Sequence, residues 1–266
     1  MSKGIVVSVA TDSWVKGQNR LKQALSYIDQ PCLCWTQSLP KDSPPHRSDG
    51  LCAGAEANCV PYAFKAYAMK EAADRGHKLL LWADASILPL QSMDSLWTRI
   101  ERDGYWICKN GYSNDQWTAD SAYPNLFPQE FRDFSNTLSG PGAAYEIQDR
   151  LYAINEDISH VVATTFGLNI DHPKGREFLD EYFRLASQTR AFCGPWWNSN
   201  APNPGRVKYQ RQTARCGPPT TLGHRHDQTA ASVIAWRLGM ILDEPPKVFA
   251  YDGGQTKETT LVARAF

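Results

Sequence analysis

The segment that most restricts how this chain can fold is Leu79–Leu90, LLLWADASILPL. Four apolar residues, Leu79 to Trp82, follow a stretch of helical periodicity and run into Asp84-Ala85-Ser86. A short continuous apolar run after a helix reads as a strand buried on both faces of an α/β sheet. Ligands of such sheets bind beyond the carboxyl ends of the strands. Asp84 therefore stands at the ligand edge, where a hard carboxylate oxygen suits a divalent cation held against phosphate. The alternative role is local: Asp84 or Ser86 caps the turn that follows.

The same alternation recurs along the chain. Gly4–Ala10 is a β-branched run with a polar end at Thr11-Asp12-Ser13, and Leu21, Ala24, Leu25 and Ile28 then recur at helical spacing. Cys32–Trp35 reads as a second short strand, and Lys41–Cys59, rich in Ser, Pro, Gly and Asp, as a surface loop. A helix is expected from Pro61 to Arg75, with Phe64, Tyr67, Ala68 and Ala72 on its apolar stripe and Lys65 and Lys70 off it. Ser92–Arg102 is helical, Tyr105–Lys109 a strand and Asn110–Asp120 a loop. Short helices are expected at Phe127–Phe134 and Tyr145–Tyr152, then a strand over His160–Ile170 and a helix over Pro173–Ala186. Thr229–Leu238 is amphipathic, and Lys247–Tyr251 and Thr259–Val262 alternate as two short strands. The pattern predicts an α/β fold in one domain over 1–266, with a mixed, mainly parallel sheet. No Gly-x-Gly-x-x-Gly follows the first strand, which weighs against a dinucleotide-binding enzyme.

Charge is balanced, 28 basic against 28 acidic side chains, so affinity for phosphate must come from local clustering. Such clustering exists. From Tyr182 to His226 there is no Asp or Glu, while Arg184, Arg190, Arg206, Lys208, Arg211, Arg215 and Arg225 all fall there, with Trp196, Trp197 and Tyr209 among them. Residues 192–222 lack periodicity, and a loop of that length inside a compact domain is commonly a lid or a binding segment. Arginines and aromatics in such a segment suit a nucleic-acid acceptor, with phosphates held by charge and bases stacked on rings. Several of these arginines serving a donor diphosphate or the solvated surface, with the tryptophans stacked on a sugar of a glycan acceptor, is the alternative.

No apolar run approaches the ~20 residues of a membrane span, and the amino-terminal run is too short for a secretory signal. Together with seven cysteines in no paired spacing, this leads to the expectation of a cytoplasmic protein with mostly reduced thiols. His224, His226 and Asp227 form a compact set of nitrogen and oxygen ligands that would also suit zinc or iron in a metallohydrolase.

Taken in order, the polar end of the first strand, the lysine-bearing helix, Asp84-Ala85-Ser86 and a late Asp at a helix start resemble the glycosyltransferases of the GT-A fold. The resemblance runs over roughly residues 4 to 240. Ser86 stands where the second carboxylate of that family's D-x-D motif usually is. The resemblance implies a single GT-A-like, Rossmann-like domain, a nucleotide-sugar donor, uridine-linked, and Mn²⁺ or Mg²⁺ at Asp84. It implies that Thr11 and Asp12 cup the base, that Lys65 faces the diphosphate, and that Ser86, Gly167 and Asn169 approach the donor. It gives Asp227 the role of base toward the acceptor, and His226 or His224 that of an additional metal ligand. Local readings stand beside these: Asp12, Ser13 or Asp227 as helix caps, Lys65 as a surface lysine, Gly167 as a bulge. With a basic, aromatic acceptor segment made of Trp196, Trp197, Arg206, Lys208, Tyr209, Arg211 and Arg215, the resemblance extends to the phage enzymes that glycosylate 5-hydroxymethylpyrimidines in DNA. A glycan acceptor, or a noncatalytic carbohydrate- or nucleotide-binding domain, are the other outcomes.

Overall fold

The computed structural model describes residues 4–46, 58–194 and 221–265. Ile5–Ala10 forms β1, and a 3-10 turn at Asp12–Trp14 opens α1, Val15–Tyr27. β2 (Cys32–Thr36) pairs parallel with one side of β1. The chain then passes through α2 (Ala63–Asp74) into β3 (Leu79–Ala83), parallel on the other side of β1. β4 (Ile87–Pro89), α3 (Asp94–Asp103), β5 (Tyr105–Trp106) and β6 (Lys109–Ser113) follow. After α4 (Tyr123–Leu126), α5 (Pro128–Thr137) and α6 (Ala143–Glu156) come β7 (Ser159–Val161) and β8 (Thr165–Asn169). The last elements are α7 (Pro173–Gln188), α8 (Asp227–Arg237), β9 (Phe249–Tyr251) and β10 (Leu261–Ala263).

The central sheet has the order β2-β1-β3-β8-β5. β8 is antiparallel to both of its neighbours, so every other strand points one way and the sheet is mixed and mainly parallel. Its apolar runs are continuous because both faces are covered. Val6, Leu79 and Leu81 pack on Leu21 and Leu25 of α1 and on Leu96 and Ile100 of α3. The alternate residues Val7, Val9, Leu80 and Trp82 pack on the opposite face with Met69 of α2 and Phe178 and Tyr182 of α7. Trp82 is fully buried in that layer. Truncating such a ring costs about 3–5 kcal/mol.

Two glycines are required by close approach. Gly104 ends α3 at φ +86°, its N–H reaching the carbonyl of Ile100, and a Cβ there would meet the His172 ring at 2.1 Å. Gly167 lies in β8, where a Cβ would meet Ile100 Cδ1 at 2.3 Å. Its lack of a side chain lets α3 close on the sheet.

The structure departs from the expected elements in three places. Residues 160–170 do not form one strand: β7 pairs with β6, the chain breaks at Val162–Thr164, and only then does β8 join the central sheet. Asn110–Ser113, expected as loop, belongs to β6, because β7 supplies it with a partner that local sequence could not reveal. The expected Tyr105–Lys109 strand is split between β5 and β6. The two strands expected in the tail do form, and they build a second sheet, β4-β10-β9, with β10 antiparallel to β4. Since β4 follows Asp84-Ala85-Ser86 directly, this pairing fastens the tail beside the end of β3.

Among the described cysteines, Cys32, Cys34, Cys108 and Cys193 are free thiols, as expected. Cys59 is disulfide-bonded, an exception within the expectation of mostly reduced thiols, and its partner lies outside the described residues. Among the described residues no helix is long and apolar enough to cross a membrane.

Candidate functional site

Three charged side chains from distant parts of the sequence meet at the carboxyl end of β3. Lys65 projects from the first turn of α2, Asp84 follows β3, and Asp227 opens α8. The Lys65 ammonium lies 3.1 Å from Asp84 Oδ1 and 3.0 Å from Asp227 Oδ2, and donates to the Ala163 carbonyl at 2.9 Å. Its side chain is buried. Burial opposes the ammonium's charge, but Asp227 and Asp84 outweigh it and raise the lysine pKa. Burial raises the Asp227 pKa, with Lys65 acting in the opposite direction.

Each member is aimed by its neighbours. Trp82 Nε1 donates to Asp84 Oδ1 at 2.7 Å, tying the carboxylate to the core. The Asp84 N–H donates to the Thr164 carbonyl at 2.8 Å. Thus the break between β7 and β8 delivers two carbonyls to the site, those of Ala163 and Thr164. Tyr182 donates its hydroxyl to Asp227 Oδ2 at 3.3 Å. The carboxylate of Asp227 is thereby directed to Lys65 and Tyr182, whereas a helix cap would turn it to backbone N–H groups.

Two non-glycine residues with positive φ flank the cluster: Tyr62 at φ 57°, just before α2, and His226 at φ 51°, just before α8. Their rings stack at 5.5 Å and 28°. The Lys65 ammonium lies 5.3 Å from the Tyr62 ring centre and 5.5 Å from that of Trp82. Burial and the nearby Asp227 push the Tyr62 hydroxyl up to about 12. Left-handed backbone at bulky residues costs on the order of 1–3 kcal/mol each and gathers where side chains must be held in place.

The cluster forms the floor of a cleft of about 690 Å³. Ser13 and Trp14 from the turn after β1, Ser86, the tail residues Ala263, Arg264 and Ala265, and Arg225 and Gln228 also line it. The tail is held there by Arg20, which donates to the Arg264 and Ala265 carbonyls at 2.7 and 2.9 Å. Trp14 is 54% exposed. Arg225 carries its guanidinium 4.2 Å above the Trp117 ring.

The expected site residues divide into five groups, the histidines being the last. Lys65, Asp84, Ser86 and Asp227 come together at the cleft. Thr11 and Asp12 precede its wall, which their neighbours Ser13 and Trp14 form; the Asp12 N–H is taken by Gln37 Oε1 at 2.9 Å. Gly167 and Asn169 do not reach it. β8 runs antiparallel to β3, so Asn169 pairs with Leu79, about 13 Å along the strand from Ala83. There its amide donates to the Glu101 carbonyl and accepts from the Asp171 N–H, a structural role. Trp196, Trp197, Arg206, Lys208, Tyr209, Arg211 and Arg215 lie outside the described residues.

The histidines do not make the expected metal set. His224 Nδ1 accepts from the Ala119 N–H at 3.2 Å and Nε2 donates to the Ala191 carbonyl at 3.0 Å, so both ring nitrogens are committed to backbone. His226 Nδ1 donates to the Phe192 carbonyl at 2.9 Å, and its buried ring packs against Tyr62 and His224. Among the described residues no three His, Cys, Asp or Glu side chains are grouped to hold a metal ion. At Asp84 the neighbouring position is filled by an ammonium. These residues do not fit the Mn²⁺ or Mg²⁺ expected there, nor the zinc or iron of a metallohydrolase.

Among the cleft residues missed in the sequence are Ser13, Trp14, Tyr62, Arg225, Gln228 and Arg264. Arg225 carried a signal through its place in the acid-free basic run, and Ser13 through its place in the polar end of the first strand. No family model matches the sequence, and no curated protein matches it either. Among solved structures, the chain is similar to a glycosyltransferase involved in the glycosylation of the major capsid of PBCV-1. That match has 10% identity and a TM-score of 0.44, over 97% of this chain and 91% of that one. It is similar to the bifunctional glycosyltransferase WbbM at 10% identity and a TM-score of 0.47, over all of this chain and 46% of that one. It is also similar to mouse xyloside xylosyltransferase 1, at 8% identity and a TM-score of 0.43, over 98% and 97% of the two chains.

Proposed function

We propose that this chain is a glycosyltransferase, a single GT-A-like domain over 1–266 that moves a sugar from a nucleotide sugar, uridine-linked, to an acceptor hydroxyl. The observation that carries the reading is where the cleft lies. β1 has β2 on one side and β3 on the other, so the strand order reverses between β1 and β3. Ligands of open α/β sheets bind in the crevice at the carboxyl ends of such a pair. Here that crevice holds Asp84, Lys65 and Asp227 on its floor and an exposed tryptophan at its mouth.

In the proposed reaction the acceptor oxygen bonds to the anomeric carbon, the bond from that carbon to the diphosphate oxygen breaks, and the acceptor proton passes to Asp227. A base must stand within hydrogen-bond reach of that hydroxyl. Asp227 lines the cleft as a buried carboxyl group paired with Lys65, its pKa raised by burial toward the range of a general base, which supports this role. Trp14 offers a stacking face to the base or the sugar.

For the acceptor we propose a hydroxymethylated pyrimidine in DNA. Support comes from the acid-free, arginine-rich run between Tyr182 and His226, whose last arginine, Arg225, lines the cleft. DNA carrying 5-hydroxymethylcytosine or 5-hydroxymethyluracil should accept sugar while unmodified DNA does not. If both stay unglycosylated and an oligosaccharide is extended instead, the acceptor is a glycan. The transferase reading itself is tested with Asp227→Asn, which should lower transfer by about 10²–10⁴-fold while sparing donor affinity. Retained turnover removes Asp227 from the mechanism.

A further inference from the structure

We propose that Lys65 occupies the place a divalent cation would need at this strand end, so that the diphosphate of the donor binds without metal. The inference rests on the transferase reading above and concerns the same cleft. A Mg²⁺ ion shared by Asp84 and Asp227 would sit about 2.0–2.1 Å from their oxygens. The Lys65 ammonium already lies 3.1 and 3.0 Å from those two carboxylates. The cation would therefore press against a like charge inside a buried cluster. The lysine has little room to withdraw. Its three donors meet three acceptors, Asp84, Asp227 and the Ala163 carbonyl, and the Tyr62 and Trp82 rings stand beside it.

The ligand set agrees. Ser86 brings no charge to the position of a second strand-end carboxylate, and both nitrogens of His224 are committed to backbone. Cationic side chains are nevertheless present beside the cleft: Arg225 and Arg264 line it with Lys65, the Arg264 guanidinium pairing with Asp252 at 2.9 Å. With its donors already taken, the Lys65 ammonium acts on a diphosphate through its charge alone, while the two guanidiniums can offer charge-assisted hydrogen bonds, guanidinium pairs being well matched to phosphate oxygens.

Linkage gives a direct test, since a cation that assists the donor must itself be bound more tightly when the donor is present, by the same factor. Binding of UDP, GDP, CDP and ADP to the whole chain is measured calorimetrically in EDTA and in Mn²⁺. Uptake of Mn²⁺ alone is followed by loss of the free-ion electron paramagnetic resonance signal. The expected result is a nucleotide affinity that agrees within about twofold between the two conditions, and no Mn²⁺ uptake by the wild-type chain. Lys65→Met should expose the paired carboxylates and create Mn²⁺ uptake, which a second change, Asp84→Asn, abolishes. Nucleotide binding that requires Mn²⁺, or wild-type Mn²⁺ uptake lost in Asp84→Asn, overturns this inference and leaves the transferase reading standing. Those two arms need no lysine variant, so they decide the matter even where Lys65→Met does not fold. Failure of every nucleotide to bind in either condition overturns the transferase reading and this inference with it.

Discussion

Asp227 Oδ2 receives both the Tyr182 hydroxyl, at 3.3 Å, and the Lys65 ammonium, at 3.0 Å. The two donors come from helices on one face of the sheet and hold a single carboxylate oxygen in place. Tyr182 is thus a positioning residue for the proposed base. Tyr182→Phe should keep donor affinity, lower turnover, and shift the acid limb of the turnover–pH profile upward, because a hydrogen bond that favours the ionised carboxylate is gone. Loss of the bond should also cost about 1–3 kcal/mol in denaturant unfolding. An unchanged pH profile would show that Tyr182 is only core.

Trp14, more than half exposed at the cleft mouth, should stack on the donor. Ring stacking on a base contributes about 1–3 kcal/mol. Trp14→Ala should accordingly weaken nucleotide binding by roughly 5- to 150-fold. Calorimetry on the two proteins is sufficient, and equal affinities would place the ring outside the donor site.

Gly167 separates packing from function. A Cβ would press on Ile100 Cδ1 at 2.3 Å and on Leu81. Overpacking of this kind costs about 1–3 kcal/mol. Gly167→Ala should lose stability in urea unfolding while the folded protein retains its donor affinity. Weakened donor binding at unchanged stability would instead restore the glycine to the sugar site.

Acid should destabilise the fold through its buried histidines. Burial holds His224 down to about 4 from an ordinary value of 6.5, and holds His160 and His226 well below it too. As pH falls through the unfolded value, the unfolded chain takes up protons that the folded chain refuses. Stability is full above about pH 6.5 and falls by up to about 1.4 kcal/mol per pH unit for each histidine. For His224 the decline ends near its folded value of about 4. Urea midpoints measured from about pH 7 to about pH 5 should fall steadily; a flat series would contradict the neutral, buried state.

How much of this was legible in the sequence follows from the range of each interaction. Local periodicity carried the strands β1 to β3, the helices between them and Asp84 at a strand end, because apolar spacing reports directly on which faces are buried. Asp227 was legible as an acid opening a helix, although α8, expected to be amphipathic, is buried on all sides over Thr229–Ala235. Thr11 and Asp12 stand two residues and one residue before Ser13 of the cleft wall, since a strand's end fixes the neighbourhood of a site but leaves the path of the next loop open.

Only the tertiary structure decided the rest. The direction of β8 is a long-range pairing choice, and it exchanged Gly167 and Asn169 for Ala163 and Thr164 at the site. The tail reaches the cleft because β10 pairs with β4, about 170 residues earlier in the chain. Lys65 looked like one of two lysines off an apolar stripe, yet only one is buried. Two carboxylates distant in sequence, meeting across the sheet edge, stabilise a charge that burial alone would not tolerate. Helical periodicity records which side of a helix is apolar; it does not record which charges fold up against the other side.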